Sequence, residues 1–162
     1  MRDKLIYILL FLSLLSCNKK SQDCYCNNKD FSFSISDGFI SEYNSNKEIF
    51  KLEFPLDSVT NIFLTLSERE MHQIKQILCK YDFVNLEIDN ERRTKTNTVI
   101  SGPNYRFSLK VNCKNMSKEI VLDNKVVYNN SSKNNEKFKE LWGEIWDIIV
   151  NKKKIKEKMP NF

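Results

Sequence analysis

The polarity of this chain changes period several times, and each change predicts an element. Residues 5–15 form an apolar run interrupted only by Ser13 and closed by polar Asn18, Lys19 and Lys20. A helix that crosses a bilayer needs about 20 apolar residues, so this run is too short to span. Residues 18–28 are polar and aperiodic, as a tether is. Phe31, Phe33 and Ile35 then alternate with Ser32, Ser34 and Ser36, the period of two that puts apolar side chains on one face of a strand. Asp37-Gly38 predicts a turn. Phe50, Leu52 and Phe54 alternate with Lys51 and Glu53 up to Pro55, which has no N–H to continue a ladder. Residues 59–66 are a second β-rich stretch, read as a strand paired to its predecessor across 56–58.

Ser67-Glu68-Arg69-Glu70 has the spacing of a capping box, in which Ser67 and Glu70 reciprocally satisfy free backbone N–H groups. The helix it starts carries Met71, Ile74 and Leu78 on one face, flanked by Ile77 and Tyr81, and ends near Lys80. Residues 83–86 read as a short strand. The segment 87–97 is charged and aperiodic, the longest internal loop, and 101–104 is a turn. Tyr105, Phe107, Leu109, Val111 and Cys113 alternate without a break against Arg106, Ser108, Lys110 and Asn112, the clearest strand in the chain. Residues 118–123 return as its hairpin partner through Ile120 and Leu122, 126–128 continue it, and 129–135 are a polar linker. A last helix over 134–150 carries a wide stripe of Phe138, Leu141, Trp142, Ile145, Ile148 and Ile149. No repeat appears. Alternating strands joined by short turns predict an α+β fold: a mostly antiparallel sheet of five to seven strands, packed on one face by two amphipathic helices.

The N-terminus adds an address. Arg2 and Lys4 precede the apolar run, which ends in Leu14-Leu15-Ser16-Cys17. A charged start, a short apolar core and a small residue at the cut make a secretory signal. With the cysteine in place, this one resembles the lipobox of bacterial lipoproteins. The resemblance implies that the Cys17 thiol carries a diacylglyceryl group, that cleavage falls before it, and that the new amine is acylated. Two buried chains anchor a protein stably. An ordinary signal cut nearby, or an uncleaved short anchor, would leave Cys17 incidental. On the lipoprotein reading, residues 1–16 are the signal, 17–29 the lipidated cysteine and tether, 30–150 one domain and 151–162 a Lys-rich tail. The strand–helix order also resembles small Bacteroidota lipoproteins, a likeness with no diagnostic motif in the globular part. Surface-exported lipoproteins of some Gram-negative groups carry acidic residues after the cysteine. Lys19 and Lys20 have the opposite sign, which points to the outer membrane, facing the periplasm.

Composition changes little except where charge is concerned. The chain contains no Ala and is rich in Lys, Asn, Ile and Phe, residues spelled by AT-rich codons. Its net charge is +5, yet residues 152–162 alone hold five Lys and one Glu. With that tail and the signal removed the domain is neutral, so the charge gives no footprint for nucleic acid. The tail lysines suit a helix C-terminus, anionic headgroups, or a partner or nucleic-acid site.

Candidate chemistry rests on few residues. Export allows disulfides, and Cys24, Cys26, Cys79 and Cys113 remain after Cys17. They admit structural bridges, buried thiols, or redox and metal work at the C-x-C pair Cys24 and Cys26, which lacks the helix N-terminus that usually depresses a thiol pKa. Their pairing is open. The single His72 has no metal-ligand or nucleophile motif around it, and three Gly do not make a phosphate loop. A hydrolase would need a pocket that gathers His72 with a carboxylate and a hydroxyl. Arg92, Arg93 and Lys95 in the long loop, with Trp146 at the edge of the last helix stripe, are candidate partner contacts. The expectation is a non-enzymatic binding lipoprotein without cofactor or metal, contacting an envelope protein or ligand through the 87–97 loop and one sheet face. The alternative is a thiol-based redox or metal-handling protein using Cys24 and Cys26.

Overall fold

The computed structural model describes residues 30–54, 58–89, 106–114, 116–123 and 132–158. Its elements run β1 (Phe31–Ser36), β2 (Ser41–Asn44), β3 (Ile49–Phe54), β4 (Ser58–Phe63), α1 (Glu68–Lys80), β5 (Arg106–Cys113), β6 (Met116–Asp123), α2 (Lys133–Val150) and α3 (Lys153–Lys156). The fold is α+β. The six strands form one sheet in the order β4-β3-β2-β1-β5-β6, antiparallel at every pairing.

The alternation read in the sequence decides which face is covered. Phe31, Phe33 and Ile35 of β1, Phe50 and Leu52 of β3, and Leu109 and Val111 of β5 are buried under the helices. The capping box at Ser67 is formed, with Ser67 Oγ accepting from Glu70 N–H and the Glu70 carboxylate accepting from Ser67 N–H. Helix α1 buries Ile74, Ile77 and Leu78, and α2 buries Phe138, Leu141, Trp142, Ile145 and Ile149. Trp142 also donates its indole N–H to Ser108 O at 3.2 Å, tying α2 to β5. Between the helices, Glu144 accepts from Lys80 Nζ at 2.6 Å and from the Tyr81 hydroxyl at 2.7 Å. These bonds hold the Glu144 carboxyl below its usual range, Lys80 contributing most.

One expectation is corrected and two elements are added. Strand β2 has no counterpart in the sequence reading. Residues 81–85 are a turn, so 83–86 is not a strand: Asp82 is left-handed (φ 51°) and Phe83 N–H donates back to Leu78 O at 3.0 Å. Phe83 and Leu86, three apart, are buried while Val84 and Asn85 between them are exposed, a helical spacing and not a strand's. The Lys-rich stretch after 150 carries a further short helix, α3. Ile155 of α3 is fully buried, and Lys152 pairs with Glu70 at the start of α1. The readings of 126–128 as a strand and 101–104 as a turn lie outside the described residues.

Candidate functional site

No helix among the described residues covers the second face of the sheet, and its side chains are mostly polar, with Ile49, Val59, Phe63 and Val121 as apolar members. One row across it runs Asn61, Lys51, Glu42, Ser36, Ser108 and Val121; the next runs Phe63, Ile49, Asn44, Ser34, Lys110 and Glu119. Small serines occupy the middle strand β1, with amides and charges to either side. Lys51 pairs with Glu53, and Lys110 lies 3.6 Å from Glu119, so both signs are interspersed and compensated. Such a face offers hydrogen-bond donors and acceptors without a single-sign field.

A bonded anchor and a close backbone approach flank residues 90–105. At one end Asn135, fully buried, accepts from Asp89 N–H through Oδ1 and donates from Nδ2 to Asp89 O, both at 3.0 Å. Its side-chain amide thus pairs with the backbone as a second strand would. At the other end Gly38 sits against Arg106. It is left-handed (φ 68°), and a Cβ there would lie within 3.0 Å of the Arg106 backbone N, C and O. The turn holding Gly38 is itself fixed, because Asp37 Oδ1 accepts from the N–H groups of Phe39, Ile40 and Ser41 at 2.9–3.0 Å. Phe39, at the tip, is 51% exposed. The sequence predicts the turn at Asp37-Gly38 but neither long-range contact, because both involve backbone distant in sequence.

The expected site residues fall into distinct places. Cys17, Cys24, Cys26, Arg92, Arg93 and Lys95 lie outside the described residues. Cys113, at the end of β5 beside Phe31, is disulfide-bonded. Cys79 is a half-buried thiol outside any bridge. Trp146 is half-buried rather than an exposed anchor: it stacks on Trp142 at 4.8 Å and lies 5.8 Å from Phe50. His72 is exposed on α1, its ring 3.1 Å from the Gln76 amide, away from the buried pocket that a hydrolase reading requires. Among the described residues no group of three or more His, Cys, Asp or Glu side chains could hold a metal ion, and no helix is long and apolar enough to cross a membrane.

Lys118 is a polar anchor that periodicity did not single out. Its ammonium donates to Val84 O at 2.6 Å and Leu86 O at 2.8 Å, and lies 5.6 Å from the Phe83 ring. Burial lowers its pKa, yet the two carbonyls give the charged form direct partners. It secures the turn that leads toward Asp89. No protein-family model, curated protein or solved structure matches this chain.

Proposed function

We propose that this chain is an envelope lipoprotein, lipidated at Cys17, whose domain is a non-enzymatic binding module facing the periplasm from the outer membrane. The observation that carries the binding reading is the helix-free face of the sheet. At Asp89 the Asn135 amide clamps the backbone, and at Arg106 the chain passes close against Gly38. A largely polar sheet face beside a clamped Asp89 suits recognition of another protein or a ligand by shape and hydrogen bonding. The reading of the N-terminus rests on Arg2, Lys4 and the Leu14–Cys17 motif. The Cys113 disulfide agrees with it, since such bonds persist in oxidising compartments.

Two measurements test the two halves separately. Metabolic labelling with palmitate should mark the wild-type chain, and Cys17→Ser should abolish the label and leave an uncleaved or mislocalised precursor. A processed, membrane-bound Cys17→Ser chain refutes the anchor. For the binding face, a photo-crosslinking residue at Ser36 or Lys110 should give a discrete covalent adduct in cells, whereas one at Gln73 on exposed α1 should not. Equal labelling from both faces, or none from the sheet, refutes the platform.

A further inference from the structure

Among the described residues, strand β4 is the last strand at one end of the sheet. In an antiparallel ladder a residue sends its N–H and C=O to the same neighbour, and successive residues alternate sides. Leu64 N–H donates to Glu48 O on the β3 side. Val59, Asn61 and Phe63, which have the other parity, therefore aim their backbone groups at the free edge. The same three residues project their side chains from the helix-free face, where Val59 is 54% and Phe63 62% exposed. Natural edges are commonly guarded by charge, proline or a bulge. The opposite edge, β6, carries Lys118, Glu119 and Asp123. Strand β4 reads Ser-Val-Thr-Asn-Ile-Phe and has no charge at all.

We propose that β4 pairs antiparallel with β4 of a second copy of this chain, about a two-fold axis through Asn61. An axis perpendicular to the sheet keeps like faces together, so only residues of the same parity meet. With the axis at Asn61, all three outward residues find partners. Val59 lies opposite Phe63 of the second copy, Phe63 opposite its Val59, and Asn61 opposite its own symmetry mate. Each pair exchanges two backbone hydrogen bonds, and an aromatic side chain against a β-branched one is a favourable cross-strand pair.

Charge selects this occupant. Homotypic pairing sets the axial side chain against itself, where Lys or Glu would repel. An amide donates and accepts at once. The nearest charges on β3, Lys51 beside Asn61 and Glu53 beside Val59, are bonded to each other, so no uncompensated charge approaches the axis. A strand of this length spans about 20 Å and covers well under the roughly 800 Å² per partner of a standard interface. The pairing is therefore reversible and favoured where copies are crowded.

Asn61→Cys in the full chain tests the register, because residues opposite each other in such a ladder are about 5.5 Å apart at Cα, within disulfide reach. Under mild oxidation in membranes, and in detergent at rising protein concentration, Asn61→Cys should form a covalent species of twice the monomer mass. Wild type and Glu119→Cys, exposed on the opposite edge, should not. Adding Phe63→Lys should lower the yield at least fivefold. Asn61→Cys that stays monomeric, that dimerises no better than Glu119→Cys, or that forms only an adduct of another mass overturns the proposal; the last result would mark β4 as the edge for a foreign strand.

Discussion

Removing the side-chain amide of Asn135 should cost this domain a sizeable share of its stability. The residue is fully buried, and both polar atoms of its side chain are spent on the backbone of Asp89, 46 positions away. Asn135→Ala deletes both hydrogen bonds. At a net 0.5–1.5 kcal/mol each, with a further penalty for any Asp89 group that water does not reach, the loss is about 2–3 kcal/mol. For a chain of this size that lowers Tm by about 10 °C, measurable by far-UV circular dichroism, with a matching fall in the urea midpoint at constant slope. Asn135→Asp sharpens the test because it preserves volume. It keeps an acceptor for Asp89 N–H but turns a carboxylate oxygen toward Asp89 O and buries a charge. At neutral pH it should cost more than alanine, and the penalty should shrink on acidification, where a protonated carboxyl donates again. Hydrogen exchange at the Asp89 amide should accelerate in Asn135→Ala, which removes its acceptor. An Asn135→Ala melting within about 2 °C of wild type, or an aspartate better tolerated than alanine at pH 7, would refute the clamp.

Gly38→Ala should destabilise by at least about 2 kcal/mol, since it adds a side chain at a left-handed position and drives it into the Arg106 backbone; an unchanged melting curve would show that β5 can yield. Cys113→Ser should cost about 2–5 kcal/mol and expose one additional thiol to maleimide in the denatured, unreduced chain, the newly labelled peptide naming the partner; an unchanged thiol count would contradict the bridge. Burial alone would raise the Glu70 carboxyl, but bonds from Lys152 and from the Ser67 backbone and hydroxyl outweigh it and hold the pKa below its ordinary 4.5. A depressed carboxylate contributes stability that is complete above its unfolded value and lost as pH falls through the folded one. The stability gap between wild type and Glu70→Gln should therefore narrow below about pH 4.5, and a gap constant from pH 6 to pH 3 would refute the linkage.

Most of the sheet and both long helices were legible because the signal that defines them is local. Phe31, Phe33 and Ile35, like Leu109, Val111 and Cys113, repeat at two, and the face they specify is the one that is buried. The capping box needs only Ser67 and Glu70, three residues apart. Strand β2 was illegible for the complementary reason. Its four residues, Ser41, Glu42, Tyr43 and Asn44, offer one apolar side chain, and no period can be read from a single point. Tyr43 is inward because its neighbours Ile35 and Phe50 are, and its hydroxyl reaches Leu64 O at 3.1 Å, information held by other strands. The stretch 83–86 misled for want of the preceding backbone: a left-handed Asp82 reverses the chain before the apolar residues begin.

The candidate surfaces were harder to read because they depend on which strands become neighbours. Strand β5 follows β4 and α1 in the chain, and consecutive strands usually lie side by side. Such pairing would have placed β4 inside the sheet. Instead β5 pairs with β1 along its whole length, from Phe31 opposite Cys113 to Ser36 opposite Ser108. Side chains supply the reason. Every helix-facing position of β1 is a large apolar residue, and the opposite face carries only serines, so β1 gains by having neighbours on both sides. Helix-facing β4 offers only Ser58, Thr60 and the half-buried Ile62, while Val59 and Phe63 face away from the core. A strand so poor in core-facing residues loses little at the periphery. The same poverty leaves its apolar side chains and its outward backbone groups on one accessible edge, with no charge to keep a second strand away.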